Sequence, residues 1–219
     1  MKHLTLADEI VVLTLDDSVA EINPTCMPVA AIAVAGGVLM ELALQGRIDT
    51  DMESLFIVNP APTGDELLDE VLQEIGAEAE QHPSAWWIDE LTKRHGDLVD
   101  RVLERLVTAG VLREEEREYL WVFSQRAYPQ VSGREEREAK ARLMSVLFND
   151  EVPEPRDALL LGLANSTGAL AAILTETELD KASPRIAEVA RLEEISRSVG
   201  LVSSQVGDAM GTIMMSYPH

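Results

Sequence analysis

The apolar positions fall into runs with helical spacing, separated by short clusters of Pro, Gly, Asn and Asp. Leu4 to Glu9 reads as a helical turn. Ile10 to Leu15 is β-branched and apolar and predicts a strand, with a turn at Asp16-Asp17-Ser18 and a return strand over Val19 to Ile22. Between Pro24 and Pro28 the chain is irregular. From Val29 to Gln45 it is apolar on nearly all sides, which marks a central helix, with Gly46 as its C-cap. Ser54 to Val58 is strand-like, and Asn59-Pro60-Ala61-Pro62-Thr63-Gly64 is a turn cluster. Asp65 opens a helix whose buried face is Leu67, Leu68, Val71, Leu72 and Ile75.

His82-Pro83-Ser84 breaks that helix, and the next carries Trp86, Trp87, Ile88 and Leu91. One tryptophan is expected in the core and its neighbour at the rim. Asp97 to Ala109 is amphipathic and ends at Gly110. Val111-Leu112 and Tyr119 to Phe123 read as two strands around a charged tip, Arg113 to Glu118. Helices follow from Gly133, from Arg156 to Leu174 with an interruption at Asn165-Ser166-Thr167-Gly168, and from Pro184 to Val199. The glycines of the last twenty residues, which also hold Met210, Met214 and Met215, argue against a regular helix there. The pattern predicts a mainly α fold: a single-domain helical bundle around buried central helices with short β-hairpins, over residues 4–198, followed by a tail over 199–219.

Composition narrows the function classes. Aromatics are only 4% of the chain, so Ala, Leu, Val, Ile and Met must build the core. The net charge is −21, which repels phosphate backbones and anionic headgroups at long range. The order helix, glycine, hairpin from Leu98 to Phe123 resembles a winged-helix module, but its acidic helix and tip make it a poor partner for nucleic acid. Cys26 is the single cysteine, so no internal disulfide forms, as suits a reducing cytoplasm. The N-terminus lacks the basic and apolar regions of a signal peptide. Val29 to Leu44 contains Glu41 and is short for a membrane span, so a buried core helix is expected.

The sequence carries few recognisable chemical motifs. His3, His82, His95 and His219 stand outside any His-Glu-x-x-His arrangement, and no nucleophile elbow, phosphate-binding loop or dinucleotide fingerprint occurs. Asp49, Asp51 and Glu53 alternate like calcium ligands, without the glycine and distal glutamate such a loop needs. No positive charge adjoins Cys26 in sequence to lower its pKa. The expectation is a protein without cofactor or metal and without catalytic residues.

Six segments in order resemble the Golgi phosphoprotein 3 (GPP34) family: Leu4 to Ile10, Gly37 to Ile48, Pro62 to Asp69, Leu106 to Leu112, Tyr128-Pro129 and Pro155 to Leu160. The resemblance implies a helical domain around a buried helix pair with a protruding hairpin. From the family's eukaryotic members it implies a peripheral membrane protein that reads phosphatidylinositol 4-phosphate through a tryptophan and several arginines and gathers glycosyltransferases by their cytosolic tails. Guanidinium forks suit phosphate, and an aromatic edge suits the interface.

Counted without gaps from the matching motifs, the tryptophan position falls on Cys26 and the arginine positions on Ala35, Gly96 and Val99. No tryptophan precedes Trp86 and no arginine precedes Arg47. Arg47 matches the turn motif, Arg101 matches a family arginine, and Arg94 lies close by; these three are the candidate lipid-binding residues. The resulting expectation is a non-catalytic cytoplasmic binding or adaptor protein of prokaryotic type, with phosphoinositide binding weakened or lost. The alternative is a peripheral membrane protein that holds anionic lipid headgroups through Arg47, Arg94 or Arg101 and an apolar hairpin at Tyr119 to Phe123. An enzyme with an unrecognised site is the second alternative. Protein partners are expected, nucleic acid is not, and the hairpin offers an edge for pairing between chains.

Overall fold

A computed structural model describes residues 4–15, 27–51, 54–119, 123–149 and 152–190. Among these, helices α1 (Leu6–Thr14), α2 (Met27–Leu44), α3 (Glu66–Ala77), α4 (Ser84–Arg94), α5 (Leu98–Thr108), α6 (Arg134–Phe148), α7 (Pro155–Ser166), α8 (Leu170–Ile173) and α9 (Glu176–Ala190) build the body. Two antiparallel hairpins join them, β1 (Ile48–Thr50) with β2 (Leu55–Ile57) and β3 (Glu115–Tyr119) with β4 (Phe123–Ala127). The fold is therefore mainly α, as the apolar pattern predicts, and the buried residues form one connected cluster from Leu6 to Val189.

The strand expected over Ile10 to Leu15 is wrong. Those residues continue α1, which is buried along its length from Leu6 to Leu13. A capping box starts this helix: Asp8 N–H donates to the Thr5 hydroxyl at 3.2 Å, and the Asp8 carboxylate accepts from Thr5 N–H at 2.8 Å. The helix then lies against α2, α5, α6 and α7, so every side is enclosed and the helical period is hidden. Burial thus overrides the strand preference of Ile, Val and Val. The return strand expected at Val19 to Ile22 falls outside the described residues, as does Cys26.

The central helix α2 extends for 18 residues and ends before Gly46, which adopts φ +63°. By length and composition α2 could cross a membrane, yet 67% of it is buried inside the protein. Its approach to α1 is backbone to backbone. A Cβ on Gly37 would stand 2.8 Å from the Ala7 nitrogen and 2.9 Å from the Ala7 Cα, so glycine is required there.

Charged side chains from four helices fasten α1. Glu41 of α2, 6% exposed, accepts from Leu6 N–H at 3.0 Å and pairs with Arg156 of α7 at 3.1 Å. Arg156 also reaches Glu9 at 3.4 Å and the Leu4 carbonyl. Arg142 of α6 spans Glu9 at 2.5 Å and Asp157 at 2.9 Å. Arg105 of α5 pairs with Asp8 at 2.6 Å and Asp65 at 3.1 Å, and donates to the Thr5 hydroxyl at 3.0 Å. Buried carboxylates are tolerable only with such partners.

Two more boundaries differ from the sequence reading. The charged run Arg113 to Glu118 is not a tip: its last four residues lie in strand β3, registered Glu115↔Ala127 through Tyr119↔Phe123. Leu112 makes only an isolated bridge to Gln130. Hairpin arms pair through backbone groups, which residue type specifies weakly. The last helix starts at Glu176, eight residues before the expected Pro184, which lies inside it. Thr175 and Glu178 cap it reciprocally, with Thr175 N–H donating to Glu178 at 2.9 Å. The expected continuation over 191–199 lies outside the described residues. The interruption at 165–168 is present, with Gly168 at φ +75° between α7 and α8.

Candidate binding surface along helix α3

Helix α3 is amphipathic. Leu67, Leu68, Val71, Leu72 and Ile75 are buried, and the opposite side carries Asp69, Glu70 and Glu74. Helix periodicity sets Glu70 and Glu74 one turn apart on one face. Asp65, the N-cap, accepts from Leu68 N–H at 3.4 Å and holds Arg105, so the Pro-Thr-Gly-Asp motif starts the helix and ties it to α5. Asp69 turns back on the motif and accepts from Thr63 N–H and Thr63 Oγ1, each at 2.6 Å. The Thr63 side-chain and backbone hydrogen bonds, with Gly64 N–H and the Arg47 charge, hold its carboxyl below the usual carboxylate range.

The three candidate arginines are strung along this helix. Arg47 sits at the turn before it: Nη2 donates to the Pro62 carbonyl at 3.3 Å, and its own carbonyl accepts from Val58 and Asn59 N–H, closing the β1–β2 hairpin. Arg101, from the second turn of α5, pairs with Glu70 at 2.5 Å. Arg94, in the last turn of α4, donates to Glu90 at 2.8 Å and lies 3.6 Å from both Glu74 and Glu78. The Glu90 hydrogen bond, supported by Glu74 and Glu78, keeps its guanidinium above its ordinary pKa. Arg94 also stands 5.9 Å from the Trp86 ring centre.

The remaining candidate positions lie apart from this surface chemistry. Ala35 is fully buried in α2 and Val99 is 3% exposed in α5, so both are core positions. Gly96 is exposed in the α4–α5 junction, with open space where a side chain would project.

Sequence reasoning missed His95, the C-cap of α4. Its ring is 12% exposed and lies between two α3 carboxylates, Nε2 at 2.5 Å from Glu74 and Nδ1 at 3.9 Å from Glu70. It also missed the ring pile at the start of α4. Trp87 is buried, as expected for one of the pair, and Trp86 is half-buried with the His82 imidazole stacked on it at 3.7 Å. The Glu70–Glu74 spacing was readable; the histidine that meets it comes from another helix and was not.

The clefts among the described residues are open and mixed. One of about 460 Å³ between the β1–β2 hairpin and α7 is walled by Ala43, Ile48, Val58, Pro155, Ala158 and Leu159. Another of about 570 Å³ beside α5 and α6 is edged by Arg105, Arg134 and Arg142 together with Glu9, Glu135 and Glu138. Its arginines are held by carboxylates, Arg134 by Glu135 at 3.3 Å, Arg142 by Glu9 and Arg105 by Asp8. Compared with known families, the chain is matched over residues 6–213 by the family model described as Golgi phosphoprotein 3 (GPP34).

Proposed function

This chain belongs to the Golgi phosphoprotein 3 (GPP34) family, and we propose that it is a non-catalytic cytoplasmic binding or adaptor protein in which phosphoinositide recognition is weakened or lost. Family membership supports the binding role. The weakening rests on one observation: Arg94 and Arg101 are already answered by carboxylates of α3 and α4. Around them Glu70, Glu74, Glu78 and Glu90 outnumber the two guanidiniums and leave two net negative charges. A phosphate arriving here has to displace a carboxylate and enter a negative field. Arg47, whose Nη2 donates to the Pro62 carbonyl and whose charge is felt by Asp69, serves the turn before α3. A partner presenting basic side chains suits the chain's charge of −21 better than an anionic headgroup does.

Sedimentation with liposomes of phosphatidylcholine, with and without phosphatidylinositol 4-phosphate, tests this reading. At physiological salt the protein stays in the supernatant with both. Headgroup-specific sedimentation, abolished by charge reversal of Arg94 or Arg101, would establish the lipid-binding alternative instead.

A further inference from the structure

We propose that Glu70, Glu74 and His95 form a binding site for a divalent transition-metal ion of the Zn²⁺ class, at the junction of α3 with the end of α4. This site is separate from the proposed adaptor role and stands or falls without it.

One ligand atom from each of the three residues lies within 4.8 Å of the other two. Glu70 and Glu74 are one turn apart on α3, the spacing that aims two side chains at one ion. His95 closes the set from the α4 C-cap, its ring only 12% exposed. The two arginines select which oxygens remain. Arg101 takes Oε2 of Glu70, and Arg94 lies nearest Oε2 of Glu74. The Oε1 atoms of the two carboxylates flank the imidazole on different nitrogens, Glu74 Oε1 at 2.5 Å from Nε2 and Glu70 Oε1 at 3.9 Å from Nδ1, so an ion takes one ring nitrogen and draws the farther carboxylate to it. Arg101 is thus an outer partner that fixes the Glu70 carboxylate, as metal sites commonly arrange, while Arg94 stands beside Glu74 Oε2 at 3.6 Å as a charge without a hydrogen bond.

Charge favours a dication. The four carboxylates and two guanidiniums of the patch sum to two net negative charges, which a divalent ion neutralises. The donor set selects among dications. One imidazole nitrogen with two carboxylate oxygens suits Zn²⁺, Co²⁺ or Mn²⁺, whereas Mg²⁺ and Ca²⁺ prefer oxygen ligands alone. Binding requires a small rearrangement. Two ligands of a tetrahedral zinc, with bonds of about 2.0–2.1 Å, stand roughly 3.3 Å apart. The Glu74–His95 contact at 2.5 Å must therefore open, and the imidazole and the two carboxylates must turn about their side-chain torsions to present one nitrogen and two oxygens to the same ion.

The test is titration of the full-length, chelator-treated protein with Co²⁺ and with Zn²⁺, read by calorimetry and by visible Co²⁺ absorption. We expect one equivalent to bind, an intense d–d band to develop, and excess Mg²⁺ to leave both unchanged. His95→Gln and Glu74→Gln should weaken binding beyond the roughly 10–100-fold typical of losing an outer-sphere partner. Glu80→Gln, at an exposed acidic position outside the cluster, should bind like the parent. Proton NMR of the Co²⁺-loaded parent protein should show one paramagnetically shifted imidazole, a readout that depends on no variant folding. No d–d band, displacement by Mg²⁺, equal binding by His95→Gln, or the absence of a shifted imidazole would each overturn the site and leave diffuse counter-ion binding to an acidic surface.

Discussion

Replacing Glu41 by leucine removes the group that joins α1, α2 and α7. Its carboxylate accepts from Leu6 N–H at 3.0 Å, from Gln45 Nε2 at 3.1 Å and from Arg156 Nη1 at 3.1 Å, with the residue only 6% exposed. Removing one member of a buried ion pair costs about 3–5 kcal/mol when the other charge is stranded. Arg156 is not fully stranded: its side chain is 26% exposed and keeps Glu9 and the Leu4 carbonyl. The Leu6 N–H, in the first turn of α1, loses this acceptor, and an orphaned buried donor costs about 1–3 kcal/mol. The leucine spares the cost of burying a carboxylate, which offsets part of the loss. The net expectation is a destabilisation of about 2–3 kcal/mol. For a chain of this size that lowers Tm by roughly 4–12 °C at about 2–4 °C per kcal/mol. Chemical denaturation and calorimetry at neutral pH measure it. The double change Glu41→Leu with Arg156→Met should be less damaging than the sum of the two single ones, because it strands no charge. A Glu41→Leu protein as stable as the parent, or strict additivity in the double, would refute the reading that this pair organises the centre of the molecule.

Two further substitutions test the packing and the turn. Gly37→Ala gains about 1 kcal/mol of helix propensity, but its Cβ meets Ala7 backbone atoms at 2.8 and 2.9 Å. Because α1 is fastened by Glu41, Arg105 and Arg142, we expect the clash to win by about 1–2 kcal/mol in denaturant melts; equal or higher stability would show that α1 moves freely. Asp69→Asn removes a carboxylate whose folded pKa lies below its reference of 3.8. A depressed pKa stabilises the folded state above that reference, and the benefit fades as pH falls through the folded value. The Tm gap between parent and variant should therefore be present at neutral pH and shrink below about pH 4; a gap independent of pH would refute the role of the charge.

Legibility followed sequence distance. Helices with one apolar face, such as α3 and α5, were readable because one side of each meets water and the period survives in the residues. Helix α1 was not, because it is enclosed on every side and its Ile-Val-Val run imitates a strand. Its capping box, Thr5 with Asp8, was the available local signal. Pro184 misplaced α9 in the same way, by suggesting a start where the chain merely tolerates a proline within a helix already capped at Thr175.

The candidate surface divides along the same line. Arg94 and Arg101 could be picked out as cations, but a cation in sequence says nothing of which anion it faces. Arg101 meets Glu70 across 31 positions, and Arg94 meets Glu74 across 20. Those pairings turn two candidate phosphate ligands into supports for carboxylates. They also create the convergence of Glu70, Glu74 and His95, since the same contacts that occupy the arginines leave one oxygen of each glutamate facing the histidine. Lipid headgroup and metal ion thus make opposite demands on one patch. A phosphate needs the guanidiniums released from the glutamates, whereas a dication uses the glutamates as the arginines hold them. Co²⁺ cancels the negative charge of the patch but leaves the guanidiniums on the glutamates; where these pairs rather than the field exclude the headgroup, metal-loaded protein should bind anionic liposomes no better than metal-free protein. Enhanced liposome binding on metal loading would mean that the ion frees the arginines, and would reverse this assignment of outer partners.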